Sequence, residues 1–214
     1  MLTGATGLRR LLLLNKDPHI QPIMNSNIFP RLMELLNEKY ATLTRYEASW
    51  CLSLIANGND SVIKLMIEND IISLLLKQLK DEYGALSDQA VWMLGNIGGE
   101  NTVYRNLVIS AGALPILGSI LRNTKDISVI KNVYWTLSNL IRGTPKVPCE
   151  IIKDIFPSLI NAICNYEDEE LLMDCCWSLI FIIEDGIKEE HEALFTTPII
   201  PRLIQLLSYV FTYI

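Results

Sequence analysis

Along this 214-residue chain, apolar positions follow two rhythms: a local one spaced for helix faces, and a longer one that returns about every 42 residues. The stretch 103–110 (VYRNLVIS) spaces its apolar side chains for one helical face. It stops at Ala111–Gly112, where a glycine suits a left-handed helix end. LPILGSILRN follows with a second apolar face. Pro115 falls in its first turn, where a missing N–H costs nothing. After the polar stretch NTKDIS comes VIKNVYWTLSNLIRG, a third helical pattern closed by Gly143. The pattern predicts one short helix and two longer ones per period. No alternating, strand-like run is present.

Two landmarks mark the period. Trp50, Trp92, Trp135 and Trp177 recur at a near-constant spacing of about 42 residues. Pro30, Ser73, Pro115, Pro157 and Pro201 follow apolar pairs at the same period, and each of the first four precedes a tryptophan by about 20 residues. A ~42-residue unit of this helix pattern is that of the armadillo repeat. The expected fold is all-α: an armadillo-repeat array coiled into a right-handed superhelical solenoid, its third helices lining a concave face. The expected register is a partial first repeat at 1–24, repeats at 25–66, 67–108, 109–151 and 152–193, a partial last repeat at 194–207, and an atypical tail (SYVFTYI) at 208–214. Leu8 lies one such period before Trp50, so residues 1–14 read as a third helix. Residues 15–24 read as a link. The last repeat would place its tryptophan position beyond Ile214. The expectation is therefore a truncated array, cut inside a repeat at both ends, with apolar surface exposed at its C-terminal end.

Composition narrows the function classes. Hydrophobic residues make up 50 % and charged residues 20 %, which excludes a disordered chain. A net charge of −6 disfavours nucleic-acid binding and favours a basic ligand. No apolar run approaches the ~20 residues of a membrane span, and LLLL at 11–14 is shorter than the ~7–15 residues of a secretory core. The five cysteines form no metal-ligand or C-x-x-C pattern. Cys51, Cys175 and Cys176 fall in third helices as small apolar fillers, which fits a reducing compartment. The only histidines, His19 and His191, have no companion at a catalytic or ligating spacing, and no glycine-rich phosphate loop occurs. Neither catalysis nor a metal or cofactor is expected. The acidic run EDEE at 167–170 reads as a helix start, with carboxylates at the positive end of the dipole.

The tryptophans carry the candidate site. On a helix, i and i+4 share a face, which pairs Trp92 with Asn96 and Trp135 with Asn139. Glu47, Gln89, Asn132 and Asp174, three positions before each tryptophan, join that face; Leu54 and Phe181 replace the asparagine in the other two repeats. Packing alone gives no reason to place a mediocre helix former at the same offset after tryptophan in two successive repeats. A row of asparagine amides, each with a donor and an acceptor, can hold the backbone of an extended peptide. Indole rings between them form slots for lysine or arginine stems, worth ~0.5–2 kcal/mol per cation–ring contact. Nearby carboxylates complete a basic-peptide site.

QAVWMLGNIGGE, WTLSNLIRG, the DCCWSL segment and EASWCLSLIANG resemble the successive third helices of the importin-α family, and the resemblance covers residues 1 to about 207. It implies a nuclear import adaptor, working in cytoplasm and nucleus, that holds a lysine-rich localisation signal extended in its groove. The residues it designates are Trp50, Trp92 with Asn96, and Trp135 with Asn139, aided by Gln89 and Asn132, with Asp174 beside the next slot at Trp177. Gly58 matches a backbone position of the family's lysine pocket, and Glu100 stands where the family has an aspartate. Arg142 matches a basic position beyond the main lysine site. Three departures stand out: Leu54 removes one backbone clamp, Ile63 replaces a pocket threonine, and Glu100 is one methylene too long. Losing one ladder hydrogen bond costs ~0.5–1.5 kcal/mol, up to about tenfold in affinity. The family's basic importin-β-binding segment is not found here, nor are repeats beyond the sixth. The resemblance thus implies a monopartite signal as ligand, with importin-β a partner of the family whose binding segment is absent. The alternative is a non-transporting armadillo scaffold or a degenerate relative with an impaired groove.

Overall fold

A computed structural model describes residues 1–14, 20–57, 59–79, 84–184 and 198–210, except the side chains of 149 and 208–210. These residues are helices and connections, with no strand among them. The chain divides into two compact bodies, Met1–Glu100 and Asn101–Ile214.

The first body comprises α1 (Leu2–Leu14), α2 (Gln21–Met24), α3 (Ile28–Leu35), α4 (Thr42–Ala56), α5 (Asp60–Glu68), α6 (Ile71–Gln78) and α7 (Ala85–Glu100). Helix α4 packs against both α1 and α7, with α3 behind α4 and α6 behind α7. Leu52, Ile55, Met66, Ile71, Leu75, Met93, Leu94 and Ile97 form the sealed centre. The second body comprises α8 (Thr102–Ser110), α9 (Ala113–Asn123), α10 (Ile127–Ile141), α11 (Cys149–Ile152), α12 (Phe156–Asn165), α13 (Glu169–Ile183) and a last helix, here α14, over Ile199–Val210. There α10 packs along α13, α9 behind α10 and α12 behind α13. Leu114, Leu117, Val133, Leu137, Leu140, Ile163, Leu171 and Cys175 are buried between them.

Two details differ from the sequence reading. Residues 21–24 form a helical turn rather than a plain link, since Pro22 sits in its first turn where it fits. The last helix runs on to Val210, past the expected boundary at 207, because SYV contains no helix breaker; residues 211–214 lie outside the described ones. The expected exposed apolar surface on the last helix is present at Ile204 and Leu207, and α1 likewise exposes Leu11, Leu13 and Leu14.

The helix ends repeat as regularly as the tryptophans. Asn59 and Asn101, one repeat apart, accept the backbone N–H of Val62 and Tyr104 at 3.2 and 2.9 Å. Asp126 and Asp168 likewise cap α10 and α13, accepting from the N–H of Ser128 and Leu171 at 2.9 and 3.0 Å. Each such cap is worth ~0.5–2 kcal/mol. The corner before each second helix turns left-handed at Asp70 (φ 62°) and at Gly112 (φ 90°), again one repeat apart. Only glycine takes that conformation without cost, and aspartate is among the few side chains that tolerate it.

Buried polar side chains tie successive layers. The Tyr134 hydroxyl donates to the Ser158 carbonyl at 2.7 Å, which ties α10 to α12. Arg202, on the last helix, donates to the carbonyls of Ile163 and Tyr166 at 3.1 and 3.0 Å, satisfying the C-terminal end of α12. Arg105, only 2 % exposed, donates to the carbonyls of Arg142 and Pro145 and to Asn106 Oδ1. It thereby fixes the loop that leaves α10. Gly143 in that loop has φ 91°, a conformation that strains any other residue, and a Cβ there would also lie 3.0 Å from the Arg105 guanidinium. Cys51 and Cys175 are fully buried. Burial pushes the Cys51 thiol up to about 12, so it packs as an inert filler.

Candidate functional site

In the second body, α10 and α13 present their tryptophans to one recess. Trp135, Ser138, Asn139 and Arg142 from one side and Met173, Asp174, Trp177 and Phe181 from the other line a cavity of about 340 Å³. The i, i+4 spacing explains the arrangement. Trp135 and Asn139 stand on one face of α10, and Trp177 and Phe181 on one face of α13. Trp177 is 51 % exposed although it is the largest side chain on its helix, and it stacks on Phe181 with ring centroids 5.8 Å apart. A half-exposed tryptophan held by a stacked neighbour is a ready surface for another side chain. Asn139 is 9 % exposed, so its amide reaches the cavity from a nearly covered position.

Among the described residues, the cavity is lined by one carboxylate, Asp174. The Ser138 hydroxyl lies 2.8 Å from the carbonyl of Trp135 and 3.4 Å from Asp174 Oδ1. A hydroxyl has one proton, and the shorter bond takes it. Burial raises the Asp174 carboxyl above its ordinary value. A cation entering the cavity would reverse that shift, because the ionised form would gain a partner. On the rim, Lys146 pairs with Glu184 and lies 5.7 Å from the centre of the Phe181 ring.

In the first body the face is organised differently. Trp50, half-buried on α4, meets the edge of Tyr46 at 5.5 Å. Its ring is covered by the Arg9 guanidinium from α1, 4.5 Å from the ring centre. Arg9 also grips Glu47 with two bonds, Nε to Oε2 at 2.6 Å and Nη2 to Oε1 at 3.2 Å. Gln89 on α7 donates to the Ser53 hydroxyl at 2.7 Å and so bridges α7 to α4. Trp92 and Asn96 are half-buried on α7, and Glu100 is exposed at its last residue. Gly58 lies outside the described residues. Asn132 is half-buried on α10, one turn before Trp135. Ile63 is buried in α5. Of the candidates, Trp135, Asn139, Asp174 and Trp177 thus come together in one cavity, while Gln89 sits in a helix-to-helix bond.

Arg9 escaped the sequence reading, although a clue to it was there. Immediately after each tryptophan stand Cys51, Met93, Thr136 and Ser178, all buried, and Arg9 is the charged residue in the same column. Met173, four residues before Trp177, shares the face by the same spacing, as Tyr46 does beside Trp50, and was legible too; Lys146 lies in a connection outside the repeated helices and had no such clue.

Comparison with known proteins bears on the whole chain. Residues 101–142 match the family model Armadillo/beta-catenin-like repeat. The importin subunit alpha-2 of Arabidopsis thaliana is 33 % identical over 97 % of this chain. The importin subunit alpha-B of Dictyostelium discoideum is 36 % identical over 98 % of it. The chain spans about two fifths of these relatives, 38 % and 40 % of their lengths. Among solved structures, a designed armadillo repeat protein matches with a TM-score of 0.79 at 24 % identity, covering 97 % of this chain and 85 % of that one. Another, in complex with the peptide (KR)4, matches with a TM-score of 0.73 at 26 % identity, over 97 % of this chain and 84 % of that one. The fold class is therefore the all-α armadillo-repeat one.

Proposed function

We propose, for a chain that belongs over the stretch it spans to the importin-α family of armadillo-repeat proteins, that its tryptophan-lined cavities hold the basic side chains of an extended peptide. The protein is then a binding adaptor and not an enzyme. Its ligands are lysine-rich nuclear localisation signals, and its places of work are cytoplasm and nucleus.

The observation that carries this reading is the cavity between Trp135 and Trp177 with Asp174 inside it. A lysine stem of four methylenes fits between two indoles, and each ring contact is worth ~0.5–2 kcal/mol. The ammonium would give the Asp174 carboxylate a cationic partner, where among the described residues it meets the Ser138 hydroxyl at 3.4 Å. The Asn139 amide, one turn on from Trp135, offers a donor and an acceptor to the ligand backbone. The designed armadillo protein bound to (KR)4 supports the same chemistry on the same fold. The remaining candidates, Trp50, Gly58, Gln89, Trp92, Asn96, Glu100 and Asn132, belong to this reading as positions of the same repeated face. The repeat boundaries at 25–66, 67–108, 109–151 and 152–193 are part of it too, and the cap spacing supports them. Importin-β enters as a partner of the family.

A second reading, an armadillo scaffold with an impaired groove, draws on the first body, where Arg9 already covers Trp50 and Leu54 offers no amide. Fluorescence anisotropy with a labelled lysine-rich peptide decides between them. Saturable binding that is lost in Trp135→Ala/Trp177→Ala, with both proteins helical by circular dichroism, supports the adaptor. A folded chain that ignores the peptide leaves the scaffold.

A further inference from the structure

The Trp50 slot is filled by the chain itself. Arg9 reaches from α1 to lay its guanidinium 4.5 Å from the indole centre, well within cation–ring range. The same guanidinium holds Glu47 through two nitrogens, the fork geometry in which arginine binds carboxylates most firmly. Glu47 occupies the third position before the tryptophan, the column held by Asp174 in the open cavity. Its side chain is only 7 % exposed in the pair, and that of Arg9 17 %. Trp50 has Arg9 over its ring and the edge of Tyr46 beside it. An incoming lysine or arginine therefore finds neither the indole nor the carboxylate vacant.

We propose that Arg9 is an internal stand-in for a ligand's basic side chain and closes the Trp50 slot to cations from outside. The proposal rests on the reading of these tryptophans as cation slots. The consequence is a specificity rule: a basic residue in the part of the ligand that reaches Trp50 adds nothing to affinity, and the positive charges the protein selects for are those read elsewhere on its repeated face. The Trp135–Trp177 cavity shows the contrast. It has the same tryptophan and carboxylate columns, but among the described residues no arginine is bonded to Asp174, and the carboxylate lines an open cavity. Arg9 stands in a column that is otherwise Cys51, Met93, Thr136 and Ser178. Removing its charge opens the slot without touching the tryptophan or the carboxylate.

The test uses the full chain with ¹⁵N-labelled indoles and a small probe, N-acetyl-arginine amide, which needs only one slot. The Trp50 indole resonance is assigned with Trp50→Phe. In the unaltered protein that resonance stays fixed as the probe is added, whereas in Arg9→Gln it shifts saturably, with an apparent Kd at least ~10-fold below the highest probe concentration that leaves the unaltered protein unmoved. Arg9→Met, which keeps the apolar stem against α4, gives the same result and serves if the glutamine variant loses its dispersed spectrum. Equal shifts with and without Arg9 overturn the proposal, because the slot was never closed. So does the absence of a shift in both folded variants, because removing Arg9 then opens no cation site. A lysine-rich peptide titrated into the same samples judges the parent reading separately. If the peptide fails to bind while the Trp50 slot opens, the adaptor reading fails and the Arg9 proposal stands.

Discussion

Arg105→Met tests how the loop beside the cavity is held. The substitution keeps most of the apolar stem and deletes the guanidinium. What is lost is a set of charge-assisted bonds to the carbonyls of Arg142 and Pro145 and to Asn106. Hydrogen bonds to charged groups contribute about 1.5–3 kcal/mol each, so the two carbonyl bonds represent a gross loss of roughly 3–6 kcal/mol. Part returns, because burying the cation is itself unfavourable: desolvation already lowers the Arg105 pKa. A net destabilisation of about 2 kcal/mol is expected. For a chain of this size each kcal/mol moves the midpoint by roughly 2–4 °C, so the melting temperature falls by about 4–8 °C. The loss is local in origin, since the freed loop carries Arg142 and Lys146 at the cavity rim. Hydrogen exchange read by mass spectrometry then shows faster exchange over 142–148, with α3 and α4 unchanged. A melting midpoint within about 1 °C of the parent and unaltered exchange over 142–148 would refute the reasoning.

Gly112→Ala places a Cβ in a left-handed corner with open space around it. The cost is then purely conformational, about 1–2 kcal/mol by denaturant melting, and Asp70→Ala at the equivalent corner adds the loss of the Ser73 hydroxyl bond to Asp70. Asp168→Ala removes the α13 cap and one of the two ion pairs of Lys131, and lowers the denaturation midpoint at neutral pH. The bond from the Leu171 N–H, then Lys131, hold the Asp168 carboxyl below its ordinary value. Its contribution is therefore complete above about pH 3.9, and the deficit of the variant shrinks as pH falls below that. Asp174 behaves oppositely. Burial raises its pKa, so the native state holds its proton longer than the unfolded one, and stability falls as pH rises through the window above about 3.9. Asp174→Asn is expected to melt higher than the parent at about pH 7, to match it near about pH 3, and to bind a lysine-rich peptide more weakly.

Much of the fold could be read along the chain because each repeat repeats the same physics. Regularly spaced tryptophans located α4, α7, α10 and α13, and Gly112 and Gly143 ended segments where the backbone does turn left-handed. Asp70 was overlooked at the same corner, since an aspartate does not announce a positive φ as a glycine does. The Trp135–Asn139 and Asp174–Trp177 pairs were legible because one helix sets their geometry. What lay out of reach depended on contacts between helices. Arg9 meets Glu47 only because α1 packs on α4, 38 residues away in sequence. Gln89 looked like a ligand contact on its own helix, yet its partner is Ser53 on the neighbouring one. Lys146 reaches Phe181 from a loop whose Pro145 carbonyl is held by Arg105, a contact between separate elements.

The central claim is that the cavity between Trp135 and Trp177 receives a basic side chain whose charge meets Asp174. A double-mutant cycle measures this directly, pairing Asp174→Ala in the protein with lysine-to-norleucine replacements along a lysine-rich peptide, and reading each affinity by calorimetry. The account predicts a coupling of about 1–2 kcal/mol at one lysine and values near zero at the others. Additive losses at every peptide position would contradict it, because Asp174 would then hold no particular side chain of the ligand.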